Sequence, residues 1–281
     1  MSQKPVLSVL IPAHDEAGWI PRCLDAVAHS QGDLPAREII VIANACRDRT
    51  ADQALAMRPA LDVAGWILNV IQTDTPGKLN ALNLGDSAAL GDIRVYLDAD
   101  VLVGPGLVAE LAGVLTTDLP RYATGSPRIA RAASRISRAY ARFWERLPFV
   151  RSGAPGFGLF AVNAAGRARW QEWPDIIADD MFARLNFTPD ERMRVSARYD
   201  WPPVEGFGNL IRVRRRQNAG NAELARAYPE LMRNEDTTGP GMGELARLAL
   251  NDPLGFGVYA GVRLGVRSPL FSSAHRWARG R

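Results

Sequence analysis

Val6-Leu-Ser-Val-Leu-Ile-Pro12 reads as a buried strand and runs straight into the polar Ala13-His-Asp-Glu16. A helix is expected from about Trp19 to His29, then a second strand, Glu38-Ile-Ile-Val-Ile-Ala43, and a helix over Thr50 to Arg58. Trp66-Ile-Leu-Asn-Val-Ile71 is the third strand, Gly77 opens a helix to about Leu90, and Val95-Tyr-Leu97 is the fourth strand, ending on two aspartates. Strands alternating with helices predict a mostly parallel sheet, and such sheets bind ligands beyond the carboxyl ends of their strands. Asp15, Asn44 and Asp98 are therefore expected to converge on one edge.

After Pro120 the pattern changes. Strands are expected over Tyr122–Ile129, Leu159–Val162, Arg192–Tyr199 and Leu210–Val213, with an Arg-rich helix over Ala132–Leu147 and a short helix carrying Asp179 and Asp180. The remainder reads as helical, with a loop around Asn234–Gly243. With no repeat or linker, the economical organisation is one domain over 1–235 and a helical extension over 236–281.

A chain of 281 residues, 47% hydrophobic and 23% charged, has the composition of an ordinary globular protein. The net charge is only +4, and nothing points to a nucleic-acid partner. Of the 34 cationic residues only Lys4 and Lys78 are lysine, an excess of arginine that fits codon bias and makes Lys78 conspicuous. Two cysteines, Cys23 and Cys46, in no paired spacing predict neither disulfide nor zinc site and suit a reducing, cytoplasmic setting. The start shows no signal peptide, and no window reaches the ~20 apolar residues of a membrane helix. Leu245–Val266 comes nearest, interrupted by Arg247, Asn251, Asp252, Pro253 and Arg263. That segment is expected to close the core as a terminal helix; peripheral contact with the inner face of the cytoplasmic membrane is the other reading.

Several motifs carry chemistry. Along a strand, residues two apart face the same way, so Asp98 and Asp100 would project together and repel unless a cation neutralised them. Oxygen-only ligands suit Mg²⁺ or Mn²⁺; the plain alternative is a solvated turn. Pro12–Glu16 and Asn44–Asp52 offer polar groups at equivalent strand ends, or simple helix caps. Lys78 opposes the dipole at its helix start, which favours an anionic neighbour. Asp179 and Asp180 open a helix, where one can cap while the other serves as a general base. Arg212, Arg214, Arg215, Arg216 and Gln217, taken as part of an alternating strand, form a cluster able to meet a diphosphate.

Together these motifs resemble family-2 glycosyltransferases of the GT-A fold, over roughly Val6 to Asn221. The elements in order are Ser8-Val-Leu-Ile-Pro-Ala-His-Asp-Glu16, Ile39-Ile-Val-Ile-Ala-Asn44, Gly77-Lys-Leu-Asn-Ala-Leu-Asn83, Tyr96-Leu-Asp-Ala-Asp100, Gly156-Phe-Gly158, Ala178-Asp-Asp180 and Arg214-Arg-Arg-Gln217. The resemblance implies an α/β fold with a mostly parallel central sheet flanked by helices, a nucleotide-binding N-terminal half and an acceptor-binding C-terminal half. It further implies inverting, metal-dependent transfer from a nucleoside-diphosphate sugar, UDP-sugars foremost, to an acceptor hydroxyl. Pro12, His14, Glu16 and Asn44 would hold the nucleoside, Lys78 would approach the nucleotide, and Asp98 would contact donor sugar and ribose. Asp100 would bind Mn²⁺ or Mg²⁺, Asp180 would be the base, and Arg214, Arg216 and Gln217 would meet the diphosphate. Gly156, Phe157 and Gly158 would let the backbone approach the substrates.

There are departures. Asn44 stands where many relatives carry Asp, and Gln217 is followed by Asn218-Ala-Gly-Asn221 instead of the Arg-Trp signature of processive synthases. With no membrane spans either, addition of a single sugar is expected, in cell-envelope, exopolysaccharide or glycolipid synthesis, with a lipid-linked acceptor left open. A sugar-nucleotide pyrophosphorylase would want glycine in the first loop, which Pro12–Glu16 lacks. A non-catalytic nucleotide-binding scaffold is the remaining alternative, though every expected acidic position is acidic.

Overall fold

The computed structural model describes residues 6–237 and 239–268. Its elements run β1 (Leu7–Ala13), α1 (Ile20–Ala28), β2 (Arg37–Asn44), α2 (Thr50–Ala56), α3 (Arg58–Val63), β3 (Trp66–Thr73), α4 (Lys78–Ala88), β4 (Ile93–Leu97), β5 (Leu102–Val103), α5 (Leu107–Leu115) and β6 (Tyr122–Ile129). Then follow α6 (Arg135–Trp144), α7 (Pro148–Arg151), β7 (Leu159–Val162), α8 (Ala164–Arg167), α9 (Asp179–Leu185), β8 (Arg192–Trp201), α10 (Phe207–Ala227), α11 (Met242–Asn251) and α12 (Pro253–Arg267). Short 3₁₀ turns lie at Pro189–Glu191 and Leu231–Asn234.

The eight strands make one sheet in the order β3-β2-β1-β4-β7-β6-β8-β5. The first four are mutually parallel, with Leu10 opposite Ile40 and Tyr96, and β7 joins β4 antiparallel. β1 and β2 are apolar almost throughout because both faces are covered, as in parallel sheets generally. Leu7, Val9, Ile11, Ile39 and Val41 pack with Ile20, Leu24 and Val27 of α1, while Ile40 and Ile42 pack with Ala81 of α4. Each such fully buried side chain contributes about 1.5–3 kcal/mol. The far end of α4 is pinned by Asp86, a buried carboxylate that accepts from Arg94 (2.9 Å), Tyr96 Oη (2.8 Å), Arg167 (2.9 Å) and Trp173 Nε1 (2.8 Å).

The chain divides into two compact units. The first, residues 1–128, 156–175 and 186–201, carries the sheet. The second comprises 129–155, 176–185 and 202–281, and its described part is helical. There α12 packs on α6 through Phe143, whose ring lies 5.0 Å from Tyr259 and 5.8 Å from Phe256. Asp252 caps α12 at the Gly255 amide (3.0 Å) and holds Arg142 of α6 at 2.7 and 2.8 Å.

Most expected elements appear within a few residues. Four differences have identifiable causes. The second helix is two, α2 and α3, with Pro59 in the first turn of the latter, where proline is tolerated. The Arg-rich helix is shorter, starting where Ser134 accepts from the Ser137 amide and ending before the new start at Pro148. β5 and α5 occupy a stretch to which the sequence reading gave no element. The expected strand over Leu210–Val213 is instead the beginning of the 21-residue helix α10. Leu210 and Ile211 are both buried and Arg212 exposed, as on a helix; four residues of sequence are too few to tell that period from alternation.

Candidate active site

Every loop leaving the parallel strands at their carboxyl ends is tied to a neighbour. Pro12 lies opposite Ile42 near the end of β1, and the turn beyond it is fixed by backbone geometry and side chains together. His14 Nδ1 lies 2.7 Å from the Asn44 carbonyl. Asp15 adopts φ 49°, and its carboxylate accepts from the amides of Arg47 (2.6 Å) and Asp48 (3.3 Å). In return Asp48 accepts from the Ala17 amide (3.0 Å), and the Glu16 amide donates to Thr50 Oγ1 (2.7 Å). The capping role considered for Asp15 is not what it does: α1 starts at Trp19 without a side-chain cap, and Asp15 bridges two loops. Cys46, which sequence reasoning gave no role, donates to the Ala13 carbonyl (3.4 Å) and lies with His14 and Asp15 in a group whose donor atoms are within 4.8 Å of one another.

Asn44 ends β2 and is 3% exposed, and its side-chain Oδ1 is buried with no hydrogen-bond partner. A buried acceptor left unsatisfied costs about 1–3 kcal/mol, so this atom is a natural place for a ligand donor. Lys78 is the first residue of α4, and its ammonium sits 2.9 Å from Asp98 Oδ1. That carboxylate offsets the unfavourable placement of a cation at a helix N-terminus.

Asp98 and Asp100 do not lie on a strand. β4 ends at Leu97, and Asp98–Val101 is a turn closed by a 3.0 Å bond from the Val101 amide to the Asp98 carbonyl. Strand alternation therefore does not bring the two carboxylates together. Their common neighbourhood shows instead at Cys23 on α1. Burial first, then the charges of Asp100, Asp98 and Glu16, push its thiol pKa far above the usual range. The charges of three carboxylates are thus felt at one buried thiol, and Lys78 pairs with one of them, Asp98. Carboxylate oxygens are the donor type that Mg²⁺ and Mn²⁺ take.

The glycine segment borders the same turn. The Asp98 amide donates to the Gly158 carbonyl at 2.9 Å. Gly156 (φ 70°) and Gly158 (φ 66°) both take left-handed backbone. A Cβ at Gly156 would collide with the Tyr122 hydroxyl, and one at Gly158 would come within 2.9 Å of Val101 and 3.1 Å of Trp201. Phe157 stacks on Trp201, with centroids 5.3 Å apart and planes at 18°. Trp201, at the end of β8, is a neighbour of the glycine segment that sequence reasoning did not anticipate; the adjacent Asp200, held by Arg128 at 2.7 Å, gave no motif.

Asp180, Arg214, Arg216 and Gln217 belong to the second unit. Asp180 is at the start of α9, where its Oδ1 accepts from the Met181 amide (2.7 Å). The helix is held by Arg184, which reaches Glu235 at 2.9 Å. Arg214 donates to Gln217 (3.0 Å), one turn along α10. Because this segment is helical, Arg216 points roughly 200° away from Arg214 around the axis, so the pairing expected from a strand does not hold. Arg215 instead caps the end of α12, donating to the carbonyls of Gly265 (2.9 Å), Val266 (3.1 Å) and Ser268.

Residues 8–169 match the family model described as Glycosyl transferase family 2, more than half of the chain. The chain belongs to that family. It is 33% identical over 100 residues to the probable glycosyltransferase YdaM of Bacillus subtilis, covering 36% of this chain and 24% of that protein. Over 99 residues it is 31% identical to the glycosyltransferase AglE of Haloferax volcanii, covering 35% of this chain and 32% of AglE. Each match therefore spans a third or less of the relative's length. Among solved structures, the mannosyltransferase PcManGT of Pyrobaculum calidifontis, in complex with GDP-Man and Mn²⁺, superposes with a TM-score of 0.57 at 21% identity, covering 94% of this chain and 76% of that one. TarS of S. aureus gives 0.57 at 13% identity, covering 92% and 71%. These likenesses establish the GT-A fold for this family-2 chain. The family is one of glycosyl transferases, whereas a pyrophosphorylase transfers a nucleotidyl group, so the match does not favour that alternative. The matched stretch ends before Asp180 and the α10 arginines; it takes in residues 129–155 of the second unit and otherwise lies in the sheet-bearing unit.

Proposed function

We propose that this family-2 chain transfers a single sugar, with inversion, from a nucleoside-diphosphate sugar to an acceptor hydroxyl, and that it depends on Mn²⁺ or Mg²⁺. The observation that carries the reading is Lys78 paired to Asp98 at the carboxyl end of β4, beside the Gly158 backbone and the Asp98–Val101 turn that holds Asp100. Cations and a nucleotide diphosphate complement that arrangement, and the unpartnered Asn44 oxygen invites a donor from the nucleoside. The solved relatives with GDP-Man and Mn²⁺ or with UDP-GlcNAc support a donor of this class, with UDP-sugars foremost.

In this reading Pro12, His14, Glu16 and Asn44 line the nucleoside, Asp98 orients ribose and donor sugar, and Asp100 holds the cation. A bound cation neutralises charge on the departing diphosphate. Lys78, already turned towards this turn, adds a second positive charge. Gly156, Phe157 and Gly158 supply backbone that approaches the substrates closely, and Arg214 with Gln217 serves the diphosphate. Asp180 takes the proton of the acceptor hydroxyl while its oxygen bonds to the anomeric carbon. The bond from that carbon to the diphosphate breaks, and the electron pair leaves with the diphosphate. Residues 1–235 form the transferase proper and 236–281 its extension. The reading places the enzyme in the cytoplasm, acting in envelope polysaccharide or glycolipid synthesis, with a lipid-linked acceptor at the inner membrane face.

Calorimetric titration with UDP and with GDP, each with and without Mn²⁺, tests the donor half. We expect UDP to bind at least about tenfold more tightly with Mn²⁺, a difference of about 1.4 kcal/mol, and Asp100→Ala to lose that gain. Equal affinity with and without the cation in the unaltered protein would overturn metal dependence. Failure of both nucleotides to bind would overturn the donor assignment.

A further inference from the structure

The last two helices of the second unit each show an inner and an outer face. Inward, Leu248 of α11 and Tyr259 and Val262 of α12 are buried. Outward, α11 exposes Met242 (86%) and Leu250 (85%), and α12 exposes Leu254 (67%) and Leu264 (67%). Leu250 and Leu254 bracket the joint at Asp252. On each helix the two exposed side chains fall within roughly 80° of one another around the axis, so each presents an apolar strip. Packing within the unit does not account for these strips, because α6 takes the opposite side of α12.

The charge beside them has one sign. Arg247, Arg263 and Arg267 are exposed on the same two helices. Of the two acids in this stretch, Asp252 is buried and bound by Arg142, which leaves Glu244. From Met242 to the C-terminus the sequence holds six arginines against two acids, an excess of four that equals the formal charge of the entire chain. The residues after Ser268 add Phe271, Trp277 and three of those arginines. Apolar strips flanked by arginine, at lengths of 10 and 15 residues, lie in a bilayer interface and do not cross it. No described helix is long and apolar enough to span a membrane. A nucleic acid would be served by the arginines but gains nothing from exposed leucines.

We propose that the outer faces of α11 and α12 form a docking surface for an anionic lipid bilayer. Their leucines and Met242 enter the headgroup boundary, and the arginines meet lipid phosphates. This inference rests on the second unit's surface alone, and vesicle binding is read without sugar transfer, so its failure and that of the transferase reading are distinguishable.

The test is co-sedimentation of the full chain with vesicles of phosphatidylcholine alone and of phosphatidylcholine with about one-third phosphatidylglycerol. We expect binding to the anionic vesicles at low salt, little to the neutral ones, and release at about 0.5 M salt. The double variant Leu250→Glu/Leu254→Glu should lose at least about tenfold in partitioning, with melting temperature and UDP affinity unchanged. Absence of binding to the anionic vesicles at low salt overturns the proposal. So does binding that the double variant leaves intact, which would assign it to arginines alone. A dimer in sedimentation velocity that the double variant dissolves, without vesicle binding, would give the face to a second copy of the chain.

Discussion

In the sheet-bearing unit the polar residues of interest stand at the ends of parallel strands, while in the helical unit they stand along helices. Strand ends are brought side by side by the backbone register itself, which sets Pro12 against Ile42 and Asn44 against Thr73. Loops that follow are then neighbours whatever their detail, and short side chains such as Asp15 and Asp48 suffice to tie them. On α10 the direction of each side chain depends on its angle around an axis. There Arg214, Arg215 and Arg216 diverge, and one of them caps a neighbouring helix. The difference teaches that polar groups at strand ends are placed by topology, whereas residues of the second unit must be argued one at a time.

Asp180→Asn is the hardest blow to that contrast, since it alters one atom on a helix of the second unit. As the proposed base its loss should lower kcat by roughly 10²–10⁴ while UDP affinity stays unchanged. Steady-state kinetics alongside calorimetry would show it; unaltered turnover would remove Asp180 from the mechanism. Asp15→Ala sharpens the contrast from the other side. It frees the Arg47 and Asp48 amides and loosens the tie between the first two loops. Nucleotide affinity should fall about tenfold, with kcat at saturating donor little changed. If affinity is untouched, the loop tie has no part in donor binding.

The smallest expected effect concerns acid. Glu191 is held at a pKa of about 2, first by hydrogen bonds from Arg169, then by the Thr188 backbone, with burial opposing. Arg169 meets it at 2.8 Å on one oxygen and 2.5 Å on the other. A carboxylate with a depressed folded pKa stabilises fully above its unfolded value, here 4.5, and that stability is lost as pH falls through about 2. Glu191→Gln should therefore lower the melting temperature at neutral pH and reduce its decline between pH 4.5 and 2. An identical acid limb in the variant would show that the pair contributes nothing.

Much of the first unit was legible because periodicity and burial agree there. Val6–Pro12 and Glu38–Ala43 admit little but buried strands, and polar residues after them must lie at one edge. Strand alternation was the wrong ground for pairing Asp98 with Asp100, since β4 ends at Leu97 and they occupy the turn after it. Trp201 and Cys46 carried no sequence signal, because their neighbours, Phe157 for one and Ala13, His14 and Asp15 for the other, are far away in the chain. Leu210–Val213 misled because four residues cannot separate a period of two from one of 3.6.

Residue types and their order thus determined by themselves the alternating α/β pattern, the acidic and glycine motifs, and the arginine excess near the C-terminus. These are local properties, fixed by side-chain size, charge and periodicity. Only the tertiary structure decided that Lys78 meets Asp98, that Asp15 spans two loops, that Arg215 closes a helix end, and that Leu250 and Leu254 face outward. Each of those depends on which surfaces the packed elements leave available, and contacts between residues distant in sequence arise only when burial brings their elements together.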